Sequence, residues 1–174
     1  MIMSIPNDNP EKTWETILNL DRSGVGEICR CWVALDRKVE RLQNGLKKPE
    51  ERAAALRVLL LLQDEELKKT LFAELVDLAS SAHKDIGLCR TVIKSIRLDW
   101  VRSNIMAAMS SVLKKLADQP DWEEEAYQRY AELLAEIDQT LLLKHVEAAV
   151  VHANEGVREI GHDFDFHGQF AENS

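Results

Sequence analysis

The sequence predicts an all-α fold of about nine antiparallel helices, arranged as an α-solenoid-like stack or, alternatively, as a closed helical bundle. Three observations predict it. Apolar residues recur at spacings of three and four along most of the 174-residue chain, the period of a helix with one buried face. No run alternates apolar and polar residues as a half-buried strand would. Only 7 Gly and 4 Pro occur, and Pro6, Pro10, Pro49 and Pro120 all fall outside the apolar periodic runs, where they would break a helix. The length suits one domain, whose folding would bury roughly 70% of the unfolded surface. An apolar content of 45% and a charged content of 30% are those of a globular chain rather than a disordered one.

Taken in order, residues 1–10 read as an unstructured lead, followed by a single domain over 11–162 and a flexible tail over 163–174. The first predicted helix covers 11–20, with Trp14, Ile17 and Leu18 on one face. Ser23 caps the second, where Val25, Ile28, Trp32, Leu35, Val39 and Leu42 form a heptad seam. A long helix packed antiparallel to a neighbour accounts for that seam, and Asn44-Gly45 is its expected end. Pro49 sits at the first turn of the third helix, 50–62.

Asp64 caps the fourth helix, 65–82, with Leu67, Leu71, Leu75 and Leu78 inward. Lys84-Asp85 restarts a fifth, 85–97, with Ile86, Cys89, Ile93 and Ile96 inward. Asp99 caps the sixth, 100–117, which buries Val101, Ile105, Met109, Val112 and Leu116. Pro120-Asp121 opens the seventh, 121–137, with Tyr127, Tyr130, Leu134 and Ile137 buried. An eighth spans about 139–152 and a ninth 155–162. Connections this short make successive helices antiparallel neighbours.

Sliding the chain on itself gives one informative offset, 71 residues. It lays Leu71 on Leu142, Leu75 on Val146, Ile86 on Val157 and Cys89 on Ile160. Half of that offset is about one helix-pair repeat, and residues 100–137 supply a further pair between the copies. Over residues 50–162 this pattern resembles the HEAT and armadillo-type α-solenoids. The segment Asn154-Glu155-Gly156-Val157-Arg158-Glu159-Ile160 is similar to the start of a HEAT second helix, where an acidic residue or Asn precedes Val-Arg. The other copy, Asp85-Ile86-Gly87, lacks the Arg, and no helix carries the proline common in HEAT first helices. The resemblance implies a surface used for recognition.

The net charge of −8 conceals an asymmetry. Residues 1–21 carry −3, residues 22–115 carry +6 and residues 116–174 carry −11. A dipolar surface of this kind steers partners and favours head-to-tail association. Glu123-Glu124-Glu125 fall in a helix first turn, where they complement the helix dipole. Arg90, Lys94 and Arg97 form a stripe opposite Ile86, Cys89 and Ile96. It reads as a solvated face or as a patch for phosphate or an acidic partner. A pI of about 5.2 argues against nucleic acid, which stays as the alternative through that stripe.

Catalytic and metal motifs are absent. Cys29-x-Cys31 is not a CXXC pair, and the odd count of three cysteines fits a reduced setting. Gly24-Val25-Gly26 lacks the third glycine and the strand of a dinucleotide loop. His145, His152, His162 and His167 gather in the last quarter of the chain. They read as solvated, with a helical enzyme or metal protein as a further alternative. No cofactor is expected. The leucine run Leu59 to Leu62 is far short of the ~20 residues that span a bilayer. The first residues lack a basic and apolar leader, so a cytoplasmic location is expected.

The leading expectation is therefore a non-catalytic protein-binding module, an adaptor, regulator or inhibitor. Its candidate surface is Arg90, Lys94, Arg97, Trp100 and Trp122, because a tryptophan left exposed near a helix start is a natural anchor. The heptad seam and the third helix are used either within the monomer or in a homodimer.

Overall fold

The computed structural model describes residues 36–165, together with Glu15 and Trp32. The expected helix over 11–20, Trp14, Cys29, Cys31, His167 and the seam from Val25 to Leu35, apart from Trp32, lie outside the described residues. Nine helices and no strand are found among the described residues. None is long and apolar enough to cross a membrane. The chain divides into two compact units, residues 1–71 and 72–174.

The first unit contains α1 (Lys38–Lys47), α2 (Arg52–Leu61) and α3 (Glu65–Thr70). The predicted second helix does not run unbroken into α1: Arg37 adopts φ 51, ψ 45, a left-handed conformation that no helix interior contains. Nor does α1 stop at Asn44-Gly45. It continues to Lys47 and buries Gly45 and Leu46. The Arg52 guanidinium closes that end by donating from Nε to the Leu46 carbonyl at 3.0 Å, supplying a partner that a helix C-terminus otherwise lacks. α2 packs on α1 through Ala55, Leu56, Val58 and Leu59.

Asp64 caps α3 as expected, its Oδ1 accepting the Leu67 N–H at 3.0 Å. The helix predicted over 65–82 is interrupted at Leu71, which leaves helical geometry with ψ 9. Thr70 gives the physical reason. Its hydroxyl donates back to the Glu66 carbonyl at 2.9 Å, a contact that bends helices.

The second unit contains α4 (Phe72–Leu78), α5 (Ile86–Lys94), α6 (Leu98–Leu116), α7 (Pro120–Ile137), α8 (Gln139–Val150) and α9 (Glu155–Asp165). α4, α5 and α6 pack against one another, α7, α8 and α9 do the same, and α6 packs on α7. α4 ends at Leu78, short of the expected 82, where the Ser80 hydroxyl donates to the Asp77 carbonyl. α6 starts one residue before Asp99, so that carboxylate lies inside the first turn and Arg97 holds the cap position. Pro120 takes the first position of α7, where its missing N–H costs nothing. Asp138 ends α7 and caps α8, accepting from the Thr140 and Leu141 amides. α9 runs to Asp165, three residues past its expected end at 162.

Tyr130 lies at the centre of this unit, with no exposed surface. Its hydroxyl donates to the Val76 carbonyl at 3.2 Å. Leu75, Val92, Ile93, Ile105, Leu133 and Leu134 of the same unit are equally buried.

Candidate functional site

Two of the three residues of the predicted basic stripe are spent on internal pairing. Arg90 donates to Glu132 at 2.6 Å and lies 3.7 Å from Glu136, while the Lys94 ammonium pairs with Glu136. Arg129 completes the network at 2.8 Å from Glu132. Burial pushes the Glu132 carboxyl up, but the hydrogen bonds and charges of Arg90 and Arg129 outweigh it and hold its pKa below the ordinary range. The two helices α5 and α7 are thus joined by charges that cancel. Arg97 is exposed, and Trp100 is half-buried, edge-on to Phe72 at 4.9 Å between ring centroids. Trp122 is 56% exposed in the first turn of α7.

A different set of residues converges on a cavity of about 370 Å³, a size that accommodates a small molecule. α6 supplies Met106, Met109 and Leu113, with Ser110 and Lys114 one turn apart. α7 supplies Glu123 and Tyr127. His145 and Ala148 come from α8, and His152 follows it. Glu123 and Tyr127 share a face of α7 because they are one turn apart, whereas His145 lies on α8 and His152 just past its end.

His145 is 4% exposed, which corrects the expectation that it is solvated. Its Nε2 lies 3.0 Å from the Tyr127 carbonyl. Burial pulls its pKa down, and that hydrogen bond only partly offsets the effect. A carbonyl can only accept, so Nε2 carries the hydrogen and the neutral ring keeps its lone pair on Nδ1. The Tyr127 ring stacks on His145 at 4.9 Å and 18°, with His152 tilted beside it at 5.1 Å. Burial, then the nearby Glu123 charge, pushes the Tyr127 phenol up.

His152 Nδ1 accepts the Asn154 N–H at 3.1 Å, so its hydrogen sits on Nε2. That nitrogen faces Glu123 Oε1 at 3.6 Å. Glu123 Oε2 lies 3.4 Å from Asn154 Nδ2, which also donates to the Pro120 carbonyl. The Asn154 to Ile160 segment is thereby tied to the start of α7. Arg158 fastens the same loop by donating to the His152 and Ala153 carbonyls, both at 2.8 Å.

Glu123 is 6% exposed and has no Lys or Arg partner among the described residues. Sequence reasoning assigned it to the helix dipole and Tyr127 to the core, and both statements hold as far as they go. The missing element is their convergence with His145 and His152, which the helix-face spacings could have suggested. Among the described residues no group of three or more His, Cys, Asp or Glu side chains is placed to hold a metal ion. His162 is exposed on α9, and Cys89 is buried, donating its thiol to the Leu75 carbonyl.

No protein-family model, curated protein or solved structure matches this chain.

Proposed function

We propose that the chain is a non-catalytic protein-binding module that uses the end of the α7–α9 group as its recognition surface. The exposure of Trp122 is the observation that carries this reading. An exposed indole is a common anchor at interfaces. Val151, 82% exposed, lies at the same end, because Asn154 and His152 bring the end of α8 against the start of α7. Exposed Asp118, Asp121, Glu124 and Glu155 surround this end. An apolar anchor in an acidic rim fits a basic partner segment with an apolar side chain at its centre.

The internal pairing of Arg90 and Lys94 favours this reading over nucleic-acid binding, which needs free cations for phosphates. The two three-helix groups are also compatible with a HEAT-like repeat. The test is affinity capture with the intact chain and with Trp122→Ala. The variant is expected to lose the captured partner at unchanged fold, and wild-type capture is expected to weaken as salt rises. Equal recovery by both proteins would remove Trp122 as the anchor and the proposed surface with it.

A further inference from the structure

We infer that the cavity between α6, α7 and α8 binds a small apolar amine, with its ammonium on Glu123 and its body against α6. The site is distinct from the Trp122 surface and does not rest on it.

Charge selects the ligand class. A buried carboxylate is costly unless a positive charge or strong donors satisfy it. Glu132 has Arg90 and Arg129, Glu136 has Arg90 and Lys94, and Asp138 has Arg102 at 2.8 Å. Glu123 has instead a histidine nitrogen at 3.6 Å and a side-chain amide at 3.4 Å. The position of Glu123 in the first turn of α7 adds only the partial charge of a helix N-terminus. Glu123 thus has no guanidinium or ammonium partner among the described residues, and its charge is left to be matched from outside. An ammonium entering the cavity supplies that match through charge-assisted hydrogen bonds.

Shape and surface select the rest. Met106, Met109 and Leu113 form an apolar wall, and methionine adapts to ligands of irregular outline. The Tyr127, His145 and His152 rings form the aromatic side. Lys114 also lines the cavity, so a carboxylate on the ligand would have its own partner at a separate point. The minimum ligand is a one-ring or short-chain amine of a size the 370 Å³ space can hold.

Calorimetric titration of the full chain with phenethylamine, 2-phenylethanol and 3-phenylpropanoate tests this assignment. Imidazole C–H shifts of His145 and His152 serve as the local readout. Saturable binding of phenethylamine is expected, roughly tenfold or more tighter than the neutral analogue, with both imidazoles shifting. Glu123→Gln, which keeps size and hydrogen bonding, is expected to erase that preference. Ala148→Trp, at an exposed position on the cavity wall, is expected to block all binding without disturbing the core, which thermal unfolding would verify. Trp122→Ala is expected to bind the amine normally, which separates this site from the partner surface. Absence of saturable amine binding, equal or tighter binding of 2-phenylethanol or the carboxylate, or an undiminished preference in Glu123→Gln would each overturn the inference.

Discussion

The two three-helix groups of residues 72–174 solve the same packing problem with different interiors. In α4–α6 the buried side chains include Leu75, Cys89, Ile93 and Ile105, with Ser80 and Asp85 buried between α4 and α5. The Cys89 thiol there is used up on a carbonyl. In α7–α9 Tyr127, Ala149 and Val157 form a buried cluster, and Glu123 and His145 are buried as well. The same local device also ends differently in the two groups. Ahead of α5, His83 Nδ1 accepts the Asp85 N–H, and its other nitrogen lies 3.0 Å from the Leu78 carbonyl. Ahead of α9, His152 Nδ1 accepts the Asn154 N–H, but its other nitrogen faces Glu123 across the cavity wall. The first histidine lies away from the cavity, while His152 lines it. Buried polar groups cost stability unless satisfied, and in α7–α9 two of them, Glu123 and His145, line the cavity.

The largest effect is expected where the two groups meet. Tyr130→Ala removes a fully buried ring and its hydrogen bond to Val76, a loss of about 3–5 kcal/mol. Urea unfolding followed by circular dichroism would measure it. A single shifted transition would show that the groups unfold together, and two transitions would show that the tyrosine joins otherwise independent halves.

The glycines of the corresponding helices α5 and α9 should respond with opposite signs. A Cβ on Gly161 would lie 2.7 Å from the Val150 backbone nitrogen and 2.9 Å from its Cγ2. Gly161→Ala must push α9 off α8, costing about 1–3 kcal/mol. A Cβ on Gly87 would meet nothing within 4 Å, so Gly87→Ala is expected to stabilise by about 0.5–1 kcal/mol through helix propensity. The same denaturant series compares them, and a destabilised Gly87→Ala would contradict the open space beside α5.

The polar interior of α7–α9 should also show in pH dependence. The His145 pKa is lowered in the folded state, so the unfolded chain binds the proton first. Stability is full above the ordinary value of 6.5 and is lost as pH falls from there through the folded pKa. The slope reaches at most about 1.4 kcal/mol per pH unit for one proton. His145→Gln, which can still donate to the Tyr127 carbonyl, is expected to flatten that slope in a thermal-unfolding series from pH 8 to pH 5. The Glu132 network has the same sign in a lower window. Its stabilisation is present above 4.5, the ordinary carboxylate value, and fades as pH falls through the depressed pKa.

The smallest change is expected at Trp122. Its side chain is mostly in water, so Trp122→Ala should alter stability by no more than about 0.5 kcal/mol, measured in the same unfolding assay. A larger loss would make it a packing residue of α7 rather than an anchor.

Much of this architecture was readable from spacing. Val101, Ile105, Met109 and Val112 are buried on α6, and Tyr127, Tyr130, Leu134 and Ile137 on α7, as a 3.6-residue period requires. The Asp64 cap was equally readable, because its chemistry is local. The breaks at Arg37 and Leu71 were not. Neither carries a glycine or proline, and a single left-handed residue or a back-bonded threonine leaves no periodic mark. The basic stripe of Arg90, Lys94 and Arg97 was found in the sequence, yet its partners Glu132 and Glu136 stand 42 and 46 positions beyond Arg90 and Glu136 stands 42 beyond Lys94.

By itself, then, the sequence determined the helices, their buried faces and the acidic character of the C-terminal third, because each depends on near neighbours along the chain. Only the tertiary structure decided which charges cancel and which stay open. Helix packing brings Glu132 to Arg90 but leaves Glu123 without a Lys or Arg partner among the described residues, and no local spacing records that difference.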